Sequence, residues 1–343
     1  MRVAVSGFAA ACPEARGAVY SCSVQAMDEK KIAIGVCTFR RPVQLRRCLQ
    51  SLTDMERPHG IRLSIIVADN DPDQSARPIV AAFVKMSDIP AVYTVEPRRG
   101  IPSVRNRVLR QAMELGVTEL AFIDDDEYVD ARWLVTLWDH YARSGADVAA
   151  GYVETVYPPA TPRWIVEGRF FRNAQRPSGE RLASAATGNV LFDVHKLVGQ
   201  WGLWFDERFG LAGGSDADFF SRAAKRGAVI IGAGDARAYE VLASERMNLR
   251  YLLVNRFRKS NLKPGYADLS PAQKSVLFRG LLKQIMRGMF MLPFSLLRGF
   301  SRFAAELTRT VAAVANLMAL LGWRIRLNQY RAYWEKNEKK NHR

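Results

Sequence analysis

Three consecutive aspartates, Asp124-Asp125-Asp126, follow the apolar run Leu120-Ala-Phe-Ile123. Carboxylates packed at the mouth of a buried strand repel one another, and the pKa of at least one rises unless a cation or donors balance the charge. A divalent ion resolves that conflict through hard oxygen ligands and leaves coordination positions for phosphate oxygens. If the segment stays extended, Asp124 and Asp126 share one side and Asp125 faces the other. The pair is then suited to Mg²⁺ or Mn²⁺. The same run also suits a helix N-terminus, with Asp126 or Glu127 capping a helix through Trp133 and Leu137. Further polar clusters stand after other apolar runs: Thr38 and Arg40, Asp69-Asn70-Asp71, and Arg98-Arg99-Gly100. Asp69-Asn70-Asp71-Pro72 is in addition an ordinary turn composition.

The elements that must position these residues alternate. Ile32–Thr38 reads as a buried strand, followed by Pro42 and an i, i+3, i+4, i+7 series of Leu45, Cys48, Leu49 and Leu52, the pattern of an amphipathic helix. Leu63–Ala68 and Ala91–Glu96 read as strands, Asn106–Leu115 as a helix, and Leu120–Ile123 as a fourth strand. Such alternation calls for a mostly parallel sheet with helices on both faces, whose ligands bind at the carboxyl ends of the strands. All four polar clusters sit at such ends. No G-x-G-x-x-G follows the first strand and no G-x-x-x-x-G-K-[ST] occurs, so a dinucleotide dehydrogenase and a P-loop NTPase lose their main signals.

The 343 residues are 48% hydrophobic and 24% charged, a globular composition that excludes disordered and collagenous chains. Cys12, Cys22, Cys37 and Cys48 form no C-x-x-C pair and have no histidine cluster at ligand spacing, which fits a reducing compartment and argues against zinc. Val3–Cys12 bears a faint likeness to a signal peptide, but strong patterning starts only after Met27, so residues 1–29 read as a poorly ordered extension.

Six ordered segments carry a resemblance: Ile34-Gly-Val-Cys-Thr-Phe-Arg-Arg-Pro42, Ile65-Ile-Val-Ala-Asp-Asn-Asp71, Gly100-Ile-Pro-Ser-Val-Arg-Asn106, Phe122-Ile-Asp-Asp-Asp126, Thr187-Gly-Asn189 and Gly213-Gly-Ser-Asp-Ala-Asp218. In order and spacing they resemble the family 2 glycosyltransferases, non-processive enzymes of bacterial exopolysaccharide assembly such as those of succinoglycan biosynthesis in particular. The resemblance covers about residues 30–260. It implies an α/β GT-A fold, a mostly parallel Rossmann-like sheet flanked by helices, and an inverting, metal-dependent transfer of a hexose from a UDP-linked sugar. It places Thr38, Arg40, Asp69 and Asp71 against the nucleotide, Arg105 against the diphosphate, Asp124 and Asp125 near ribose or sugar, and Asp126 on Mg²⁺ or Mn²⁺. Thr187, Gly188 and Asn189 fall on the acceptor side. The chemistry agrees: a carboxylate can accept the imide N–H of uracil, and a guanidinium matches phosphate.

Inversion needs one base on the acceptor face, and the resemblance assigns that role to Asp216. Asp216 also has the position of a helix cap, since Phe219, Phe220 and Ala223 follow at helical spacing. Ser215 stands where relatives carry Glu, and Glu240 where some carry a metal-binding His. A Q-x-x-R-W motif is absent, against a processive synthase. Two other readings remain open: a sugar nucleotidyltransferase, and a catalytically inactive membrane-bound scaffold of the same fold.

The net charge of +16 is unevenly placed, because residues 244–343 hold 20 basic against 5 acidic side chains. Between Val276 and Trp323 the longest charge-free runs are 10 and 14 residues, short of the roughly 20 of a transmembrane helix. Apolar area with Arg and Lys at helical intervals describes a helix pair in a membrane interface. A helical cap on the catalytic domain or an oligomer contact is the alternative; nucleic acid is not expected, since no reading motif accompanies the charge. The expected division is an extension over 1–29, a GT-A catalytic domain over 30–262, and a basic amphipathic membrane-associating region over 263–343. The expected partners are a UDP-hexose, a lipid-diphosphate-linked saccharide and an anionic membrane surface. The expected place is the cytoplasmic face of a bacterial inner membrane, peripherally bound.

Overall fold

The computed structural model describes residues 30–173, 177–211, 213–262, 266 and 269–325. The N-terminal extension, with Cys12 and Cys22, lies outside the described residues.

The chain begins as β1 (Lys30–Thr38), α1 (Pro42–Asp54), β2 (Ile61–Asp69), α2 (Arg77–Met86), β3 (Ala91–Val95), α3 (Ile101–Glu114) and β4 (Glu119–Asp124). The sequence pattern anticipates all of these except α2. Helix α3 starts five residues before the expected Asn106, because Pro102 sits in its first turn, where a missing N–H costs nothing. Then follow β5 (Glu127–Val129), α4 (Trp133–Ser144), β6 (Val148–Val156), α5 (Arg163–Gly168), β7 (Asn189–Asp193), α6 (Ser215–Lys225), β8 (Ile230–Val241), α7 (Leu249–Asn261), α8 (Pro271–Leu297) and α9 (Phe300–Leu320).

The eight strands form one sheet in the order β3-β2-β1-β4-β7-β6-β8-β5. β1, β2, β3 and β4 are mutually parallel, as expected, but β7 runs antiparallel to both β4 and β6, and β5 antiparallel to β8. The sheet is therefore mixed beyond its β1–β4 half. Both faces are covered. Ile34, Val36, Ile65 and Val67 pack under Leu45, Leu49, Trp133 and Leu137 on one side, while Ala33, Ile66, Leu120 and Phe122 pack against Val108, Leu109, Phe219 and Phe220 on the other. Burial on both faces is why these strands read as continuous apolar runs without alternation.

The C-terminal helices differ from one another. α9 packs against α5, α7 and α8 and buries Ala304, Glu306, Thr308, Ala313, Ala315 and Ala319. Its junction with α7 is pinned by buried Asn261, whose amide donates to the Ala315 carbonyl (3.2 Å) and the Trp323 carbonyl (2.8 Å). α8 buries only Leu281 and Gly288 and leaves Met286, Met289, Phe290, Phe294 and Leu297 between 50% and 87% exposed. Gly288 lets the two helices touch, since a Cβ there would collide with the Thr310 hydroxyl. By length and composition α9 is the helix, among the described residues, that could cross a membrane, yet a third of its apolar window is buried against protein. The expected interfacial pair is thus one outward helix and one buried against protein over about a third of its apolar window. Among the described residues, α5 and α7, before residue 262, pack directly on α9 after it.

Candidate functional site

A cavity of about 900 Å³ opens over the carboxyl ends of β1 and β4. Thr38, Arg105, Asp124, Asp125, Asp126 and Asp216, far apart in sequence, all line it. Arg105 projects from the first turns of α3 and donates to the Ser215 hydroxyl at 3.0 Å. Asp216 lies in the first turn of α6, after Gly213 and Gly214, both left-handed (φ 78° and 91°). That turn needs glycine twice over, because a Cβ on Gly213 would strike the Arg258 guanidinium that α7 brings to the cavity wall.

The aspartate run departs from simple alternation. β4 ends at Asp124, and Asp125-Asp126 form a turn into β5. Asp125 therefore does not point away from its neighbour. A single Arg41 nitrogen donates to Asp125 Oδ1 (3.0 Å) and Asp126 Oδ2 (2.9 Å), and Thr38 Oγ1 donates to Asp125 Oδ2 (2.7 Å). The capping alternative fails as well, since Glu127 enters a strand and α4 begins only at Trp133. Across the cavity Arg246 reaches Asp126 Oδ2 (3.4 Å) and pairs with Glu240. Arg41 and Arg246 are the main residues that sequence reasoning missed. Arg41 had a signal, an arginine directly after a strand end; Arg246 had none.

Burial pushes the Asp124 carboxyl up to about 7, with Asp126, Asp125 and Asp216 adding repulsion and Arg105 opposing it. Asp125 rises to about 6, again chiefly through burial, with Arg41 pulling it down. Glu127 is pushed well above the carboxylate range by burial and then by Asp124 and Asp126. Carboxylates crowded with too little compensating charge are the donor set a hard divalent cation satisfies. Among the described residues no three acidic, histidine or cysteine side chains converge tightly enough to hold an ion alone.

Other expected residues sit differently. Asp69 is buried, and its two oxygens already accept from the backbone N–H of Asp71 (3.0 Å), that of Ala76 (2.9 Å) and the Tyr93 hydroxyl (2.9 Å). It shapes the turn after β2. Arg40 bridges Asp71 (3.1 Å) and Asp73 (2.6 Å), while Asp71 Oδ2 is buried without a hydrogen-bond partner. Thr187 Oγ1 is likewise buried and unpartnered. Gly188 abuts the carboxylates, where a Cβ would lie 2.7 Å from Glu127 Oε1. The Asn189 amide donates to the carbonyls of Tyr152 (3.1 Å) and Ala236 (2.9 Å) and accepts from Trp133 Nε1 (2.9 Å), so it ties β6, β8 and α4 together.

Comparison with known proteins bears on this arrangement. Residues 33–199 match the sequence model described as Glycosyl transferase family 2. The succinoglycan biosynthesis protein ExoM of Rhizobium meliloti (strain 1021) is 34% identical over 229 residues, 66% of this chain and 72% of that protein. Among solved structures, residues 1–349 of S. aureus TarS superpose with a TM-score of 0.50 at 15% identity, covering 85% of this chain and 92% of that one. GalNAc-T7, solved with UDP, GalNAc and Mn²⁺, gives a TM-score of 0.50 at 11% identity over 68% of this chain and 51% of its own. At these identities the two structures speak for the fold.

Proposed function

The chain belongs to glycosyl transferase family 2, is a glycosyltransferase and has the GT-A fold, and from that premise we propose that it inverts the anomeric centre of a UDP-linked hexose while transferring it to a lipid-diphosphate-linked saccharide. The observation that carries this reading is that Asp216, the Asp124–Asp126 run and Arg105, which donates to Ser215 beside Asp216, line one cavity. Asp216 takes the proton of the acceptor hydroxyl as that oxygen attacks the anomeric carbon, and the nucleoside diphosphate departs from the opposite side. Arg105 meets the charge that grows on the departing phosphates, since its fork of donors fits their oxygens and Ser215 steadies it without neutralising it. The Asp71 oxygen that lacks a partner suits the imide N–H of the base better than Asp69, whose oxygens are engaged. Thr38 acts through Asp125, which it holds in place.

Asp126, with Asp124 beside it, would hold Mg²⁺ or Mn²⁺, which supplies positive charge for the diphosphate. Arg41 and Arg246 pair with Asp126 and line the same cavity. GalNAc-T7, whose structure carries UDP and Mn²⁺, supports this assignment by analogy of fold, and the name of the Rhizobium relative supports a role in bacterial exopolysaccharide assembly.

Residues 30–262 form the proposed catalytic unit and 263–343 the membrane-associating region. Within the latter α8 is the membrane-facing helix: its exposed Met286, Met289, Phe290 and Phe294 lie among Arg279, Lys283 and Arg287, apolar contact flanked by cations that favour an anionic leaflet. The expected location is the cytoplasmic face of the inner membrane.

Product analysis with a panel of nucleotide sugars and Mn²⁺ tests the proposal. Free UDP with an inverted glycoside is the expected product, whereas pyrophosphate would indicate nucleotidyl transfer. The Asp126→Ala variant should bind UDP more weakly and lose any dependence on Mn²⁺. Equal UDP affinity of the wild type with and without Mn²⁺ would remove the metal from the mechanism.

A further inference from the structure

Beside the large cavity lies a second cleft of about 390 Å³, which shares the wall residues Thr155 and Arg172 with it. Its other lining includes Tyr152 and Glu154 from β6, Arg237 from β8 and Arg169 after α5. Tyr152 and Arg237 are register partners in the sheet, and Arg237 pairs with Glu154 at 3.5 Å. Arg169 and Arg172 have no acidic partner among the described residues, so the cleft carries about two uncompensated positive charges. Their segment is held along the sheet edge: Thr155 Oγ1 donates to the Phe171 carbonyl (2.8 Å) and the Asn173 amide to the Val153 carbonyl (2.8 Å). The arginines are thereby presented from an anchored strip.

The same strip borders the apolar corner of the tail. Trp164 of α5 packs edge-on against Phe300 at the start of α9, with ring centroids 5.1 Å apart. Phe300 follows closely in the chain on Leu296 and Leu297, which are 54% and 87% exposed at the end of α8. Exposed apolar surface, paired arginines and the cavity holding Asp216 therefore succeed one another.

We propose that the Arg169–Arg172–Arg237 cleft binds the diphosphate that joins the acceptor saccharide to its lipid. This deepens the glycosyl-transfer reading and rests on it. The excess charge of the cleft matches a diphosphate diester, guanidinium forks suit its oxygens, and the sequence of surfaces places lipid on the α8–α9 corner and the saccharide towards Asp216. The cleft is distinct from the donor's diphosphate site at Arg105 and Asp126.

Inorganic pyrophosphate in Mg²⁺ buffer is the probe, titrated into the full chain with UDP at saturation and again without UDP. A pyrophosphate site should persist under UDP. The Arg169→Gln/Arg237→Gln double variant, which leaves Arg172 of the shared wall intact, should weaken that site about tenfold or more while UDP affinity stays within about twofold. Glu154→Gln removes the one acid and should tighten pyrophosphate by about threefold. Vesicles of phosphatidylcholine and phosphatidylglycerol should bind wild type and double variant alike.

Complete competition by UDP, or a pyrophosphate site indifferent to both variants, overturns the proposal. Parallel loss of vesicle binding in the double variant also overturns it, by making the cleft a reader of bilayer headgroups. Failure to bind UDP would strike the glycosyl-transfer reading alone, since the titration without UDP still reports on the cleft.

Discussion

The strand ends and helix α8 handle burial in opposite ways. At the ends of β1 and β4 the chain packs Asp124, Asp125 and Glu127 where water is scarce and accepts raised pKa values, with Arg41 and Arg105 opposing part of the charge. Along α8 it leaves methionines and phenylalanines in solvent, whereas α9, similar in composition, buries six of its residues against α5, α7 and α8. Both are local departures from what folding alone favours, an undercompensated charge inside and apolar area outside. On the function proposed above, phosphates and a cation would relieve the first imbalance and lipid the second. The lesson is that the ligand class can be read from the kind of imbalance left behind.

The comparison breaks most sharply at Asp216. Asp216→Asn should leave UDP binding near normal and lower transfer by about 10²-fold or more, because the amide keeps the shape without taking the proton. Single-turnover assays with donor and acceptor would read this, and a wild-type rate would move the base to Asp218.

On the other side of the comparison, Phe290→Ser/Phe294→Ser should reduce partition onto anionic vesicles about tenfold or more while UDP affinity is unchanged, as two aromatic side chains leave the interface. Flotation at low and high salt measures it, and only part of the wild-type attachment should yield to salt, since screening removes the charge contribution and spares the apolar one. If the substitutions leave flotation untouched, α8 is not the membrane face.

Gly288→Ala sharpens the distinction between the two tail helices. Its new methyl meets the Thr310 hydroxyl, so it should destabilise the α8–α9 contact by about 1–3 kcal/mol. Thermal unfolding would show this as a lowered Tm, whereas the neighbouring Met289→Ala, on the exposed side, should shift it little.

The smallest effect is the pH dependence of metal-free stability. Asp124 and Asp125 have folded pKa values above their unfolded ones, so between about pH 4 and 7 the folded chain binds more protons and stability falls as pH rises. Metal-free protein should therefore melt higher at pH 5 than at pH 8, and Asp124→Asn should flatten that slope. Calorimetry across this range checks it; a Tm that climbs with pH would contradict the crowding described here.

Sequence pattern was enough to locate β1 to β4, the helices α1 and α3, and the polar residues at the strand ends, because strands buried on both faces leave long apolar runs and their boundaries are marked by charge. The identity of Asp124, Asp126, Arg105 and Asp216 as cavity residues followed from motif and order. The tertiary structure decided the rest. Asp125 turned inward because the strand stops one residue before it, and a turn cancels the two-residue alternation on which its orientation was read. Asn189 became a tie between strands because Tyr152, Ala236 and Trp133, between 37 and 56 residues away, present their polar groups to it. Arg246 joined Asp126 across 120 residues, a pairing no local spacing encodes. α8 and α9 carry comparable apolar content, and only the packing of α9 on α7 and α5 determines which of them is left facing outward, since burial belongs to the contacts a helix makes and not to its composition.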